Sequence, residues 1–177
     1  DSGLQTEVPG PQYVAATGGN TTLTVCSHKV HVFTGPGTFC VSSAGNAAGS
    51  NSVEYLVVAG GGGSGGYGTA GPKIQGAGGG GGGGWRSFTA LPSAAPTNAP
   101  AALPVSVQGY PITVGGGGAG DPANCSGGSR GDNSVFSTIT STGGGGGGSK
   151  NSPSPAAGAN KPGGSGGGGA GKVTPQD

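Results

Sequence analysis

An all-β or irregular fold, with a small N-terminal β-sheet region, a polyglycine bundle and essentially no α-helix, follows from three observations. Glycine recurs in five almost pure blocks, at 60–66 (broken by Ser64), 78–84, 115–118, 143–148 and 163–169 (broken by Ser165). Short alternating apolar runs lead into several of them, as Leu56-Val57-Val58, Ile112-Thr113-Val114 and Phe136 to Thr140 do. No segment places apolar residues at helical spacing among helix formers.

Composition narrows the problem further. Glycine numbers 47 in 177 residues and, with proline, makes up about a third of the chain without a collagen period. Hydrophobic residues are 31%, charged residues 7% and aromatics 5%, too few for a large apolar core. A net charge of +1, with no basic stripe, leaves no electrostatic footprint for nucleic acid. No apolar stretch approaches the roughly 20 residues that span a bilayer, so membrane insertion is not expected. The first residue is Asp1 rather than Met, which reads as a mature, trimmed or partial chain.

In order along the chain, residues 1–20 read as an arm or linker, because Pro9, Gly10, Pro11, Gly18 and Gly19 interrupt regular structure. Residues 21–59 form a β-strand region. Thr21 to Val25 and Lys29 to Thr34 alternate; the turn Gly35-Pro36-Gly37 leads to Thr38 to Ser42, and the runs flanking that turn read as a hairpin. Residues 45–51 form a loop, and 52–59 is the most apolar strand. Residues 60–171 form the glycine-rich bundle with short strands (85–88, 104–107, 110–114 and 134–140) and loops, before a tail at 172–177.

Polyglycine loses more backbone entropy on ordering than any other sequence. One arrangement compensates for it. In the polyglycine II conformation a run turns left-handed with three residues per turn and about 3.1 Å rise, so its amides point outward in three directions and bond to several neighbours. Weaker Cα–H···O contacts support them. The glycines expected to pack in this way are Gly60, Gly61, Gly62, Gly63, Gly80, Gly81, Gly82, Gly116, Gly117, Gly145, Gly146, Gly167 and Gly168, with Ser64 and Ser165 facing outward.

Other motifs carry less. Cys26 and Cys40 could close a disulfide across a hairpin, leaving Cys125 free or intermolecular; three reduced thiols are the alternative. His28 and His31 beside a cysteine do not make a zinc site, and neither a metal nor another cofactor is expected. Gly166 to Lys172 has P-loop spacing, but Val173 stands where the magnesium-binding hydroxyl belongs. No catalytic set emerges from the scattered acids and histidines, so the chain is read as a non-enzyme. Arg130-Gly131-Asp132 matches an integrin-type tripeptide that also occurs by chance. Asn20-Thr21-Thr22 and Asn124-Cys125-Ser126 are N-glycosylation sequons, and the Pro/Ser/Thr/Ala segments 91–104 and 151–162 suit O-linked sugars. Trp85 and Arg86, directly after a glycine block, are a candidate contact site or pack beside the bundle.

The run Val53 to Gly63 resembles the glycine-rich domains of bacteriophage tail fibres and tail adhesins, as do Lys29 to Phe39, the text from Gly80 through Trp85 to Ser87, Tyr110 to Gly115, and Asn133 to Ile139. The likeness covers roughly residues 16–170. It implies a stiff extracellular module with polyglycine II packing and variable loops that touch a host surface; snow-flea-type antifreeze proteins pack similarly. The expected function is therefore a structural subunit of an extracellular, self-assembling fibre, on a virion tail or in a secreted filament. Its principal partner is another copy of the chain, reached by residues 1–20 through β-strand addition. The alternatives are an adhesin tip that reads a host-surface glycan or protein through loops 64–77, 91–104 and 121–133, and an ice binder.

Overall fold

Two kinds of order meet end to end in this chain, a set of short antiparallel strands and a stack of extended glycine rods. The structure, a computed structural model, describes residues 7–66, 76–90, 98, 101–121, 127–149 and 164–170. Among them there is no helix.

Eleven strands follow one another as β1 (Val14–Thr17), β2 (Thr21–Val25), β3 (His28–Val32), β4 (Gly37–Ala44), β5 (Ser52–Val53), β6 (Tyr55–Val58), β7 (Trp85–Phe88), β8 (Leu103–Pro104), β9 (Gly109–Thr113), β10 (Ser134–Phe136) and β11 (Ile139–Ser141). A five-stranded sheet has the order β1-β4-β9-β10-β11; the pairs β2-β3, β5-β8 and β6-β7 stand as two-stranded ribbons. Every pairing is antiparallel. The large sheet thus draws three strands from 109–141, inside the span expected to be bundle, rather than from the N-terminal region alone. Alternation sets its inner face: Phe39 and Val41 of β4, Tyr110 of β9 and Phe136 of β10 are buried. They join Ala16, Val57 and Val105 in one small core. Phe136 is its centre, edge-on to Phe39, Tyr55 and Tyr110 with ring centroids 5.9, 6.5 and 6.2 Å apart. Pro111 is accommodated because β10 pairs only Ile112 and Thr113, leaving β9 bonded on one side alone at the proline.

Four strand readings need correction. Residues 14–17 are not arm but β1, paired with β4 through a bulge between Ala15 and Ala16. The strand before Gly35 folds back on β2, not forward on β4, because the chain already turns at Cys26-Ser27; Val25 pairs with His28 across that two-residue turn. Residues 134–140 are likewise two strands, since Phe136 pairs with Ile139 around Ser137-Thr138. Of 104–107, only Pro104 is in a strand. Both tight turns place an L-residue at positive φ, Cys26 at 53° and Ser137 at 54°, where the usual sequence signal would be glycine or asparagine.

The described residues hold six extended rods, not five, of which the first five adjoin strands: rod 1 (59–66), rod 2 (76–84), rod 3 (115–121), rod 4 (127–133), rod 5 (142–149) and rod 6 (164–170). Their mutual backbone hydrogen bonds are 2.7–3.1 Å long and repeat every third residue. In rod 1 the N–H groups of Ala59, Gly62 and Gly65 donate to rod 2, and those of Gly60 and Gly63 donate to rod 4. The carbonyls of Gly60 and Gly63 accept from rod 5, and those of Gly61 and Ser64 accept from rod 3. That division among four neighbours, repeating every third residue, is the polyglycine II pattern. The bonds order the rods in two offset rows, 3-1-2 over 4-5-6, with rods 1, 3, 5 and 6 running one way and rods 2 and 4 the other. Rod 5 is enclosed, with residues 143–149 all buried.

Two predictions follow from this packing. A methyl on Gly144 would overlap the carbonyl of Gly81, whereas one on Gly82 would meet nothing within 4 Å. Gly144→Ala should abolish cooperative folding, while Gly82→Ala should leave it intact or raise stability by up to about 1 kcal/mol through the unfolded chain; thermal melting distinguishes them. At the β10-β11 turn the left-handed conformation costs an L-residue about 1–2 kcal/mol. Ser137→Gly should therefore raise the melting temperature slightly, net of the entropy that glycine loses.

Candidate functional site

The exposed positions of the bundle are bare on most of its rods. Rod 4 is the exception, exposing Ser129, Arg130, Asp132 and Asn133, whereas rod 3 exposes Gly116, Gly117 and Gly120 beside Ala119. Across rods 1, 2 and 6 the exposed positions include the bare Gly61, Gly79, Gly82, Gly166 and Gly169, broken by Ser64, Ala77 and Ser165. A Cβ at Gly79, Gly82, Gly166 or Gly169 meets nothing within 4 Å, and one at Gly61 makes only ordinary contact at 3.6 Å. Packing among the described residues does not require glycine there.

The expected packing glycines sort accordingly. At Gly60, Gly62, Gly63, Gly80, Gly81, Gly146 and Gly167 a side chain would run into a neighbouring backbone carbonyl. Gly145 is bonded on both sides, donating to Ser165 and accepting from Gly81. Gly168 is tight, 3.3 Å from the nitrogen of Gly79. Gly61, Gly82, Gly116 and Gly117 are corrections: they point away from the interior, because only every third residue of a rod meets a given neighbour. Ser64 and Ser165 are exposed, as their outward placement predicts.

Rod 4 is the element that the sequence reading missed. Residues 127–133 were expected within a surface loop, yet Gly128 and Gly131 are buried against rod 5 while Ser129, Arg130 and Asp132 point out. The signal available was glycine at every third position rather than an unbroken run. The integrin-type tripeptide therefore has its glycine locked in the bundle, where a methyl would strike the carbonyl of Gly60.

Where the bundle meets the strands, Trp85 and Arg86 line an open cleft of about 520 Å³ with Gly83, Gly84, Asn98 and Ser165. The Asn98 amide fixes that strand, donating to the Trp85 carbonyl at 2.7 Å and accepting from the Ser87 N–H at 2.9 Å. Trp85 pairs with Val58, and with Leu56 they form an exposed apolar patch. A second exposed apolar face lies on the β2-β3 ribbon, where Leu23, Val25 and Val30 share one side. Hydrogen bonds from Gln108 and then Ser106 lower the pKa of the Tyr110 phenol.

Cys26 and Cys40 are free and exposed, so the candidate disulfide is a correction. Cys26 sits at the tip of the β2-β3 ribbon and Cys40 in β4, whose partners are β1 and β9. Cys125 and Asn124 lie outside the described residues, as do 67–75, 91–97, 99–100 and 122–126 of the candidate contact loops 64–77, 91–104 and 121–133. Among the described residues no three His, Cys, Asp or Glu side chains gather at metal-binding distance, and no helix is long and apolar enough to cross a membrane.

This geometry defines a class of protein: a glycine-rod bundle, closed by backbone hydrogen bonds and capped at one end by small antiparallel sheets. The family model for the glycine-rich domain matches residues 33–177, and the chain belongs to that family. Neither curated proteins nor solved structures gave a match.

Because both thiols are exposed and unpaired, a maleimide should modify Cys26 and Cys40 in the native, unreduced protein, as read by peptide mass mapping. Protection of the pair until reductant is added would show that they are bonded to each other.

Proposed function

We propose that the chain is a non-enzymatic structural subunit of an extracellular, self-assembling fibre of the tail-fibre-like kind. The observation that carries this reading is the bare side of the bundle. Glycine is costly in entropy, yet it is kept on rods 1, 2 and 6 at positions where no described residue would clash with a side chain. Rod 4, by contrast, exposes serine, arginine, aspartate and asparagine. A surface stripped of side chains is what a second rod-like backbone needs to approach to hydrogen-bonding distance, so the bare side suits lateral contact between copies.

Two further features support assembly. Residues 7–13 are exposed throughout, with Val8 and Tyr13 left to solvent, and they lead into β1, an edge strand of the large sheet. Gly10 and Gln12 are bonded to Asn46 and Ser50, so it is the stretch before Gly10 that is suited to strand addition on a neighbour. The two-stranded ribbons offer open edges to receive it. The resemblance to glycine-rich domains of phage tail fibres points the same way.

An adhesin tip is the second reading, favoured by one observation. The connections from rod 1 to rod 2 and from rod 3 to rod 4 both leave the end of the bundle remote from the sheets. Residues 66, 76, 121 and 127, which flank those connections, lie at that end, and side chains presented there would read a host-surface glycan or protein.

Negative-stain microscopy with matched variants separates the two. The unmodified chain and Ser129→Leu should form long regular filaments. Gly79→Leu and Gly82→Leu should keep the same melting temperature and lose the filaments. Isolated particles that bind cells, unaffected by substitution on the bare side, would overturn the fibre and establish the adhesin.

A further inference from the structure

We propose that Asn20 is a site of N-linked glycosylation. Asn20-Thr21-Thr22 is a sequon, and the structure supplies what a sequon alone does not. Asn20 is exposed at the start of β2, a strand exposed along its whole length. Its Oδ1 accepts a hydrogen bond from the Thr34 N–H at 2.8 Å, and its own N–H donates to Val32 at 2.7 Å. The backbone and carbonyl end of the residue are thereby held in place. Its Nδ2, the atom that would carry the sugar, makes no hydrogen bond among the described residues.

The other described asparagines provide the comparison. The half-buried Asn46 and the exposed Asn98 use both ends of the amide, their Nδ2 donating to Gly10 and Trp85 at 2.8 and 2.7 Å. Asn51 is exposed, but Val53 two residues on breaks its sequon. Asn133 leaves Nδ2 without a partner among the described residues while its Oδ1 accepts from Gly143, but Val135 two residues on breaks the sequon. Among the described asparagines, Asn20 combines the recognition sequence, exposure and an uncommitted amide nitrogen. Thr22, the hydroxyl residue of the sequon, is exposed too and pairs with His31 in β3.

The reaction joins Asn20 Nδ2 to the anomeric carbon of a lipid-linked oligosaccharide diphosphate. The C–N bond forms as the anomeric C–O bond to the diphosphate breaks. The lipid diphosphate leaves, and one amide proton is lost to the transferase base. No oxidant or reductant takes part. The inference rests on the extracellular reading of the chain, because such donors meet only translocated proteins.

Glycopeptide mapping of the native protein tests it. The peptide containing Asn20 should carry an N-acetylhexosamine-type or other oligosaccharide mass, and enzymatic release should convert Asn20 to Asp. Peptides containing Asn133 should be unmodified. In a glycosylating secretory host, Asn20→Gln and Thr22→Val should lose the glycan completely and Thr22→Ser should keep it. Thr22→Val preserves the strand, so the unglycosylated protein should still melt cooperatively. An unmodified Asn20 in the native protein would overturn the proposal, as would a glycan that survives Thr22→Val. Filaments without the sugar would sink the glycan and spare the fibre; a glycosylated chain that never assembles would do the reverse.

Discussion

Backbone amides bonding sideways between rods that have no side chains are the constraint on which the rest of this molecule depends. Ordering a residue costs about 1–2 kcal/mol of backbone entropy, more for glycine. A single backbone hydrogen bond contributes about 1 kcal/mol net. A lone rod therefore cannot hold its shape, and a pair gains too little. Rods 1 and 5 solve this by each bonding to neighbours on several sides, Gly62 and Gly63 to different rods and Gly144 and Gly145 likewise. The enclosed rod 5 then does for this fold what an apolar core does elsewhere, with close backbone contact and Cα–H···O interactions in place of buried methyl groups.

The strands make that packing attainable. Rod 1 continues β6, rod 2 feeds β7, rod 3 continues β9, rod 4 feeds β10 and rod 5 continues β11. Once Phe39, Tyr110, Phe136 and Val57 have brought these strands together, the rods emerge already side by side. Side chains reinforce the junction: the Gly115 N–H donates to Ser134 Oγ at 2.9 Å and the Gly143 N–H donates to Asn133 Oδ1 at 3.0 Å. The small hydrophobic core is thus an alignment device, which explains how so few apolar residues suffice.

Much of this was legible in the residues, and what was not has definite causes. The glycine blocks, β2, β6, β7 and β9 and the outward Ser64 and Ser165 could all be read, because composition and alternation state them directly. Rod 4 was hidden by Ser129, Arg130 and Asp132, since purity was taken as the signal when a threefold screw needs glycine only where it faces a neighbour. Both hairpin turns were hidden because Cys26 and Ser137 occupy a conformation that the sequence advertises only through glycine or asparagine. β1 was hidden among prolines and glycines that flank it without entering it. The bare side of rods 2 and 6 could not be distinguished from the interior at all, because a required glycine and a free one are the same letter.

That ambiguity points to a problem of register, which the structure solves with the side chains at the ends of the glycine run, two serines among them. A glycine rod is a homopolymer, so sliding it by three residues, about 9 Å, would restore every backbone bond to a chemically identical partner. Something other than the rods must fix the alignment. Rods 1 and 5 run parallel, and each end of that pair is pinned by a buried hydroxyl. Ser141 Oγ donates to the Val57 carbonyl at 2.7 Å where the pair leaves the sheet, and Ser149 Oγ donates to the Gly66 carbonyl at 3.0 Å at the far end. Ser141 is 1% exposed and Ser149 8%, so neither hydroxyl has water as an alternative partner. A slip of three residues would trade each of these carbonyls for another, and it would bring Val57 to the place of Gly60, where a side chain would strike the Gly116 carbonyl. The side chains that bound the glycine run, together with the two hydroxyls at its ends, therefore select one alignment from a lattice with many.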